Sequence, residues 1–298
     1  MKTLYDAQNA PHLLRCLIAR RKINSNCKTI SFTVACLSVF GVILGFITTY
    51  VLNSKCVLGW FAVVSSFAWI LAKVLGLWIA NEKRKAAQMQ QYFDLKIFSY
   101  EPNALGAQAF DVGLSDSEIA EIISSVTEKD ISEEKVENWY QKTDGLDALE
   151  RVFDCQRQCV KWEIAQRRMY LVCATLAMIG MAITWFYANS DVELQVVTYK
   201  LFLCGAFLNL VFDGLVGQVR DLIRLQSNLQ LVRKIEQREA GLSICPECLI
   251  RLQNCIYEHR VNACYIPDWF YSLVRSRLQQ RSCRVSAAIA EVKGCKHA

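Results

Sequence analysis

Histidine and proline are scarce in this chain, with 3 and 4 among 298 residues, and the motifs of common enzyme chemistries are missing with them. His12, His259 and His297 fall in no H-E-x-x-H pattern, and neither a glycine-rich phosphate loop nor a G-x-S-x-G elbow occurs. These absences favour a binding or pore-forming protein over an enzyme. A large excess of one charge is also missing. The formal net charge of +6 does not by itself point to a nucleic-acid partner, and no direct DNA or RNA binding is expected.

Charge is absent over long stretches as well. Residues 29–54 and 169–190 contain no Asp, Glu, Lys or Arg, and residues 56–80 contain only Lys73. Each run reaches the roughly 20 residues that cross a bilayer. A fourth, weaker run covers 194–219, apolar over 201–212 but carrying Lys200 and Asp213. The chain is 53% hydrophobic yet 21% charged, with mean hydropathy +0.18. That mixture requires segregation into blocks for lipid and blocks for water. The 14 cysteines do not form a secreted framework. Cys36, Cys173 and Cys204 fall in apolar runs, and most others fall in segments expected in the reducing cytosol. The first apolar run is too long for a signal-peptide core, so an uncleaved N-terminus is expected.

Basic residues set the orientation. Lys2, Arg15, Arg20, Arg21, Lys22 and Lys28 precede the first run, whereas the turn after it has only Lys55. Lys83, Arg84, Lys85, Arg167 and Arg168 flank the middle block, and Arg220, Arg224, Arg233 and Lys234 follow the fourth run. The turn between runs three and four has Asp191 and Glu193 and no base. By the positive-inside rule, every basic flank is cytoplasmic. The expected fold is therefore an all-α integral membrane protein with four transmembrane helices in two hairpins and helical cytoplasmic extensions. Its divisions are a basic leader (1–29), hairpin one (30–80), a cytoplasmic helical region (81–168), hairpin two (169–219) and a cytoplasmic helical tail (220–298). Both termini face the cytoplasm.

Within the spans, Gly41 and Gly45 form a G-x-x-x-G pair that suits close helix approach, although glycine is common in such helices. Lys73 and Asp213 lie at similar depths and either pair, line a polar lumen, or reach the headgroups. In the middle block, 89–98 continues the second span, Ser115 to Glu118 reads as a capping box, and a helix from about Ser132 is expected to carry Trp139 and Tyr140. Asp144-Gly145 marks a turn. No proline or glycine interrupts 146–179, so one long helix should rise into the third span. That helix carries Arg157, Trp162, Arg167, Arg168 and Tyr170, a set suited to stacking and phosphate contact or, more blandly, to a solvated face. In the tail, Cys245, Cys248, Cys255 and His259 have spacing that weakly suggests zinc, with reduced structural cysteines as the main reading.

Several short segments together resemble a known family. They are Gln91-Tyr92-Phe93-Asp94 with Phe98; Asn138-Trp139-Tyr140; Cys155-Gln156-Arg157 with Trp162 and Arg168-Met169-Tyr170; residues 252–260; and Ile266-Pro267-Asp268-Trp269-Phe270-Tyr271 with Arg275. Their order and the two-hairpin pattern resemble the SMODS-associated four-transmembrane effectors of bacterial anti-phage (CBASS) systems. The chain departs from that pattern at Gln141, where proline is usual, and at Gln158 or Cys159, where asparagine is usual; its C-P-E-C segment is foreign to it. The resemblance implies a pore-forming, homo-oligomeric effector. A cyclic oligonucleotide made by a partner nucleotidyltransferase would activate it to permeabilise the membrane and abort infection, with no resident cofactor. Trp139, Tyr140, Arg157 and Arg168 are the expected ligand contacts. A constitutive channel or small transporter, a thiol or zinc membrane enzyme, and a membrane anchor for another protein are the alternatives.

Overall fold

The computed structural model describes residues 3–47, 55–101, 112–133, 136–188, 190, 205–239 and 244–294. Among them the chain is all helical: α1 (Leu4–Ala7), α2 (Pro11–Ile47), α3 (Lys55–Phe98), α4 (Asp116–Ser124), α5 (Glu128–Glu133), α6 (Ala148–Ala188), α7 (Gly205–Glu239), α8 (Pro246–Asn262) and α9 (Asp268–Gly294). The expected continuities hold: α3 carries an apolar run into 89–98, and α6 runs unbroken from the polar block into the third apolar run. The Ser115 hydroxyl accepts from the Glu118 amide while the Glu118 carboxylate accepts from the Ser115 amide, completing the capping box. Gly145 sits at φ +77, the left-handed conformation a turn there requires. The turn residues Asn53, Ser54, Asp191 and Glu193 lie outside the described residues.

Two expectations differ. The leader is not a separate polar segment: α2 starts at Pro11, and Leu13, Leu17 and Ile18 are fully buried. They pack with Phe93 and Ile97 of α3, Val152 of α6, and Leu249 and Leu252 of α8 in one apolar core. Nor is the segment with Trp139 and Tyr140 helical. α5 ends at Glu133, and Asn138 takes φ +50, a conformation that asparagine tolerates better than most residues and that a helix excludes.

The helices diverge in character along their length. Toward one end their side chains form the core; toward the other, large apolar side chains are exposed. On α6 these are Val172, Leu176, Ile179, Met181, Ile183, Phe186 and Tyr187, joined by Leu77 of α3 and Phe212 and Val216 of α7. Burying such a side chain is worth roughly 1.5–3 kcal/mol. Seven on α6 left in water would forgo on the order of 10 kcal/mol, comparable to the roughly 5–15 kcal/mol stability of a whole domain. That surface is suited to an apolar surrounding. Among the described residues α6 is the helix that is long and apolar enough to cross a bilayer.

A buried polar knot ties the core. Asp94, on α3, accepts from the Tyr140 hydroxyl at 2.8 Å, from Arg260 Nη1 of α8 at 2.6 Å and from Gln253 Nε2 at 3.2 Å. Gln253 Nε2 also donates to Gln91 at 2.8 Å, and Gln156 of α6 donates to Gln253 at 3.1 Å. Burial would lower the Arg260 guanidinium and raise the Tyr140 hydroxyl; Asp94 instead holds Arg260 well above its ordinary range and pushes Tyr140 further up. Removing one partner of such a pair strands the other charge. Asp94→Ala is therefore expected to lower the unfolding free energy in detergent by about 3–5 kcal/mol, read by chemical denaturation. A loss of about 0.5 kcal/mol or less, as at surface sites, would contradict the role given to this knot.

Candidate functional site

Between this knot and the apolar ends of the helices lies a cavity of about 260 Å³. Its walls come from α2, α3, α6, α7, α8, α9 and the 136–141 segment. Seven Lys and Arg side chains line it against three carboxylates: Arg20, Arg21, Lys28, Lys83, Arg167, Arg260 and Arg275 face Glu137, Glu163 and Asp268. Trp139, Trp162, Tyr265 and Tyr271 add aromatic surface. Cations and ring faces at this density suit a ligand that is anionic and planar in parts.

The Trp139 wall is held by side-chain amides. Asn138 N donates to Asn9 Oδ1 at 2.9 Å, and Asn9 Nδ2 returns to Asn138 Oδ1 at 3.0 Å. Tyr140 N donates to Gln8 Oε1 at 2.9 Å, and Gln8 Nε2 donates to Tyr140 O at 3.2 Å. Gln141 N and O pair in the same way with the Gln158 amide, both at 2.9 Å. Three two-bond rings thus replace a β-ladder and satisfy backbone groups that would otherwise be stranded. Gln141, a position at which the chain departs from the resembled family pattern, is thus bonded to Gln158. A proline at 141 would have no N–H for Gln158 to accept. So clamped, the Trp139 ring faces Arg20, whose guanidinium carbon lies 5.3 Å from the ring centroid.

Arg20 makes no ion pair among the described residues. Burial and the nearby Arg260 lower its pKa, and the fields of Glu163 and Tyr271 oppose this without reversing it. An arginine stays protonated under such pressure, so the cavity wall carries charge that calls for an anion. Arg167 is better anchored. Its Nη1 donates to Gln218 at 2.6 Å, to Asp221 at 3.1 Å and to the Cys264 carbonyl at 3.1 Å. Asp221 also accepts from Cys264 N at 2.5 Å. Gly217 lets α7 come this close to the 263–267 segment, since a Cβ there would stand 2.5 Å from Cys264 Sγ.

Of the four expected ligand residues, Trp139 and Tyr140 line this cavity and Arg157 and Arg168 do not. Arg157 is engaged with Asp154 and lies 3.7 Å from Glu236, and Arg168 is exposed. Helix phase could have identified Arg167 instead, because Val160, Ile164 and Arg167 follow at spacings of four and three on the buried face of α6. Lys73 and Asp213 stand on exposed stretches of α3 and α7. Gly41 and Gly45 fall within α2, and what they pack against lies outside the described residues. Cys245 bonds to Glu247, Cys248 and Cys255 are half-buried, and His259 turns into the cavity. No group of three or more metal-type ligands occurs among the described residues.

Among the described residues, then, an all-helical body joins an exposed apolar end to a cation-lined cavity. The family model described as the SMODS-associating 4TM effector domain matches residues 2–290, and the chain belongs to that family. No curated protein and no solved structure matches it.

Burial alone would raise the Glu163 carboxyl, but His259, Arg167 and Arg20 outweigh it and hold it down at about 2. A carboxylate depressed below its ordinary value of about 4.3 stabilises the fold fully above that value and ceases to do so as pH falls through the depressed one. The stability difference between the native chain and Glu163→Gln should therefore be constant above about pH 5 and shrink toward pH 2, as read by unfolding midpoints across that range. A difference that does not vary with pH would contradict this.

Proposed function

We propose that the protein is a membrane effector of a cyclic-nucleotide-signalled antiviral system. Its four apolar stretches cross the bacterial inner membrane as two hairpins, with both termini in the cytoplasm. A cyclic oligonucleotide from a partner nucleotidyltransferase binds the cation-lined cavity, and a homo-oligomer then permeabilises or disrupts the membrane. In this reading the protein is not an enzyme and has no resident cofactor; the nucleotide is its activator.

The observation that carries the reading is adjacency. Four of the helices that wall the cavity, α2, α3, α6 and α7, continue without a break into exposed apolar surface. A second cavity, of about 780 Å³, lies between α3, α6 and α7 and shares Lys83, Cys264 and Tyr265 with the first. A ligand shifts an equilibrium only by its difference in affinity for two states. A site built from six helices at once is placed to sense their relative positions. Arg20, Arg167 and Arg260 supply positive charge for phosphates, and Trp139 supplies a face for a base. Lys73 and Asp213 would meet in, or line, a polar path between spans once the helices rearrange, and Gly41 and Gly45 would let spans approach closely.

The test is dye release from vesicles of bacterial lipid reconstituted with the full chain, before and after adding cyclic di- and trinucleotides. Release is expected only with nucleotide. Trp139→Ala should raise the half-activating concentration about tenfold, since stacking a base on an aromatic ring is worth roughly 1–3 kcal/mol. Leakage without nucleotide would support a constitutive channel, and intact vesicles under every nucleotide would leave a scaffold role.

A further inference from the structure

Glu163 stands on α6 within ion-pair range of two buried donors but makes a hydrogen bond of ordinary geometry to neither. Its Oε2 is 3.5 Å from Arg167 Nε and 3.9 Å from His259 Nε2. Both donor side chains are about 4% exposed, and Arg167 Nε and both His259 ring nitrogens have no hydrogen-bond partner. A buried donor left unmade costs about 1–3 kcal/mol, so this is an unusual place for a carboxylate to stop short. The Glu163 side chain itself is 32% exposed, so ions from solvent reach it.

A phosphate differs from this carboxylate in the ways that matter here. It presents more acceptor oxygens, spread over a wider tetrahedron, and is not tethered to α6. It can reach both donors at hydrogen-bond distance at once, where one planar carboxylate on a fixed stem reaches neither. We infer that Glu163 is a resident counter-ion occupying a phosphate locus, and that a phosphodiester group of the activating ligand takes its place between Arg167 and His259. This rests on the proposed reading of the cavity as the activator site and adds its mode of regulation. In the resting protein Glu163 neutralises the locus and raises the threshold for anions. When displaced, it is left facing the incoming charge, which turns its partly exposed side chain out of the locus toward solvent. Arg167 transmits the change, because the same guanidinium bonds Gln218, and Gln218 lines the cavity between α3, α6 and α7.

The test uses the full chain in detergent micelles, with inorganic pyrophosphate as probe and calorimetric titration as readout. Glu163→Gln, which keeps the side chain's shape, should bind pyrophosphate about tenfold more tightly than the native chain (about 1.4 kcal/mol). His259→Asn combined with Arg167→Met should lose that gain. A gain in affinity cannot come from misfolding, so the first variant is decisive if the second folds poorly. Equal or weaker binding by Glu163→Gln, or no binding by either form, would overturn the inference. Vesicle leakage separates it from the parent reading. Tightened pyrophosphate binding with vesicles that never leak under nucleotide would retain the locus and remove the effector role. Nucleotide-gated leakage with unchanged pyrophosphate binding would do the reverse.

Discussion

The buried carboxylate of Asp94 is the constraint around which the rest is arranged. It lies in the apolar core, 1% exposed at its side chain, where an unpaired charge would be prohibitively costly. It therefore draws Arg260 from α8, Tyr140 from the 136–141 segment and Gln253 to a single point. Tyr140 and the α8 pair Gln253 and Arg260 sit far from Asp94 and from each other in sequence, so satisfying one acid fixes how α3, α8 and the loop meet. The cavity is what remains on the far side of that junction. Arg260 serves both, giving Nη1 to Asp94 while lining the space beyond.

The same logic explains why the cavity is strongly cationic in a chain of modest net charge. Acids that could neutralise it are committed elsewhere: Asp94 to the knot, Asp221 to Arg167 and Cys264 N, and Asp154 to Thr143, Gln158 and Arg157. Arg20 is left with the Trp139 ring and the field of Glu163. Charge surplus here is a matter of placement. The apolar ends of α3, α6 and α7 then set the cavity's position, since they confine the polar part of the fold to one end of the helices.

Much of the helix plan was legible in the sequence because it is local. The absence of helix breakers over 146–179 announced α6, the run into 89–98 announced the length of α3, and Ser115 with Glu118 announced a cap. What was not legible depends on partners brought in by tertiary packing, most of them distant along the chain. The leader reads as polar by its six bases, yet α2 buries Leu13, Leu17 and Ile18 between them. Trp139-Tyr140 looked helical because nothing local says that Gln8, Asn9 and Gln158 will take over the backbone's hydrogen bonds. The expected site arginines, Arg157 and Arg168, stand in the segments that carry the family resemblance. The cavity instead collects Arg20, Arg167 and Arg260 by helix phase and tertiary packing. The inward placement of Arg167 could be read from the spacing of Val160 and Ile164, whereas Arg20 carried no such signal.

The central claim is that one cation-lined cavity both receives an anionic nucleotide and controls the apolar helices above it. Hydrogen–deuterium exchange on the full chain in lipid nanodiscs, with and without a panel of cyclic di- and trinucleotides, tests both halves together. The account predicts that an active nucleotide protects 136–141 and 256–267 while altering exchange on α7 near Gln218. Protection centred on the cysteine-bearing start of α8, with the cavity walls and α7 unchanged, would contradict it.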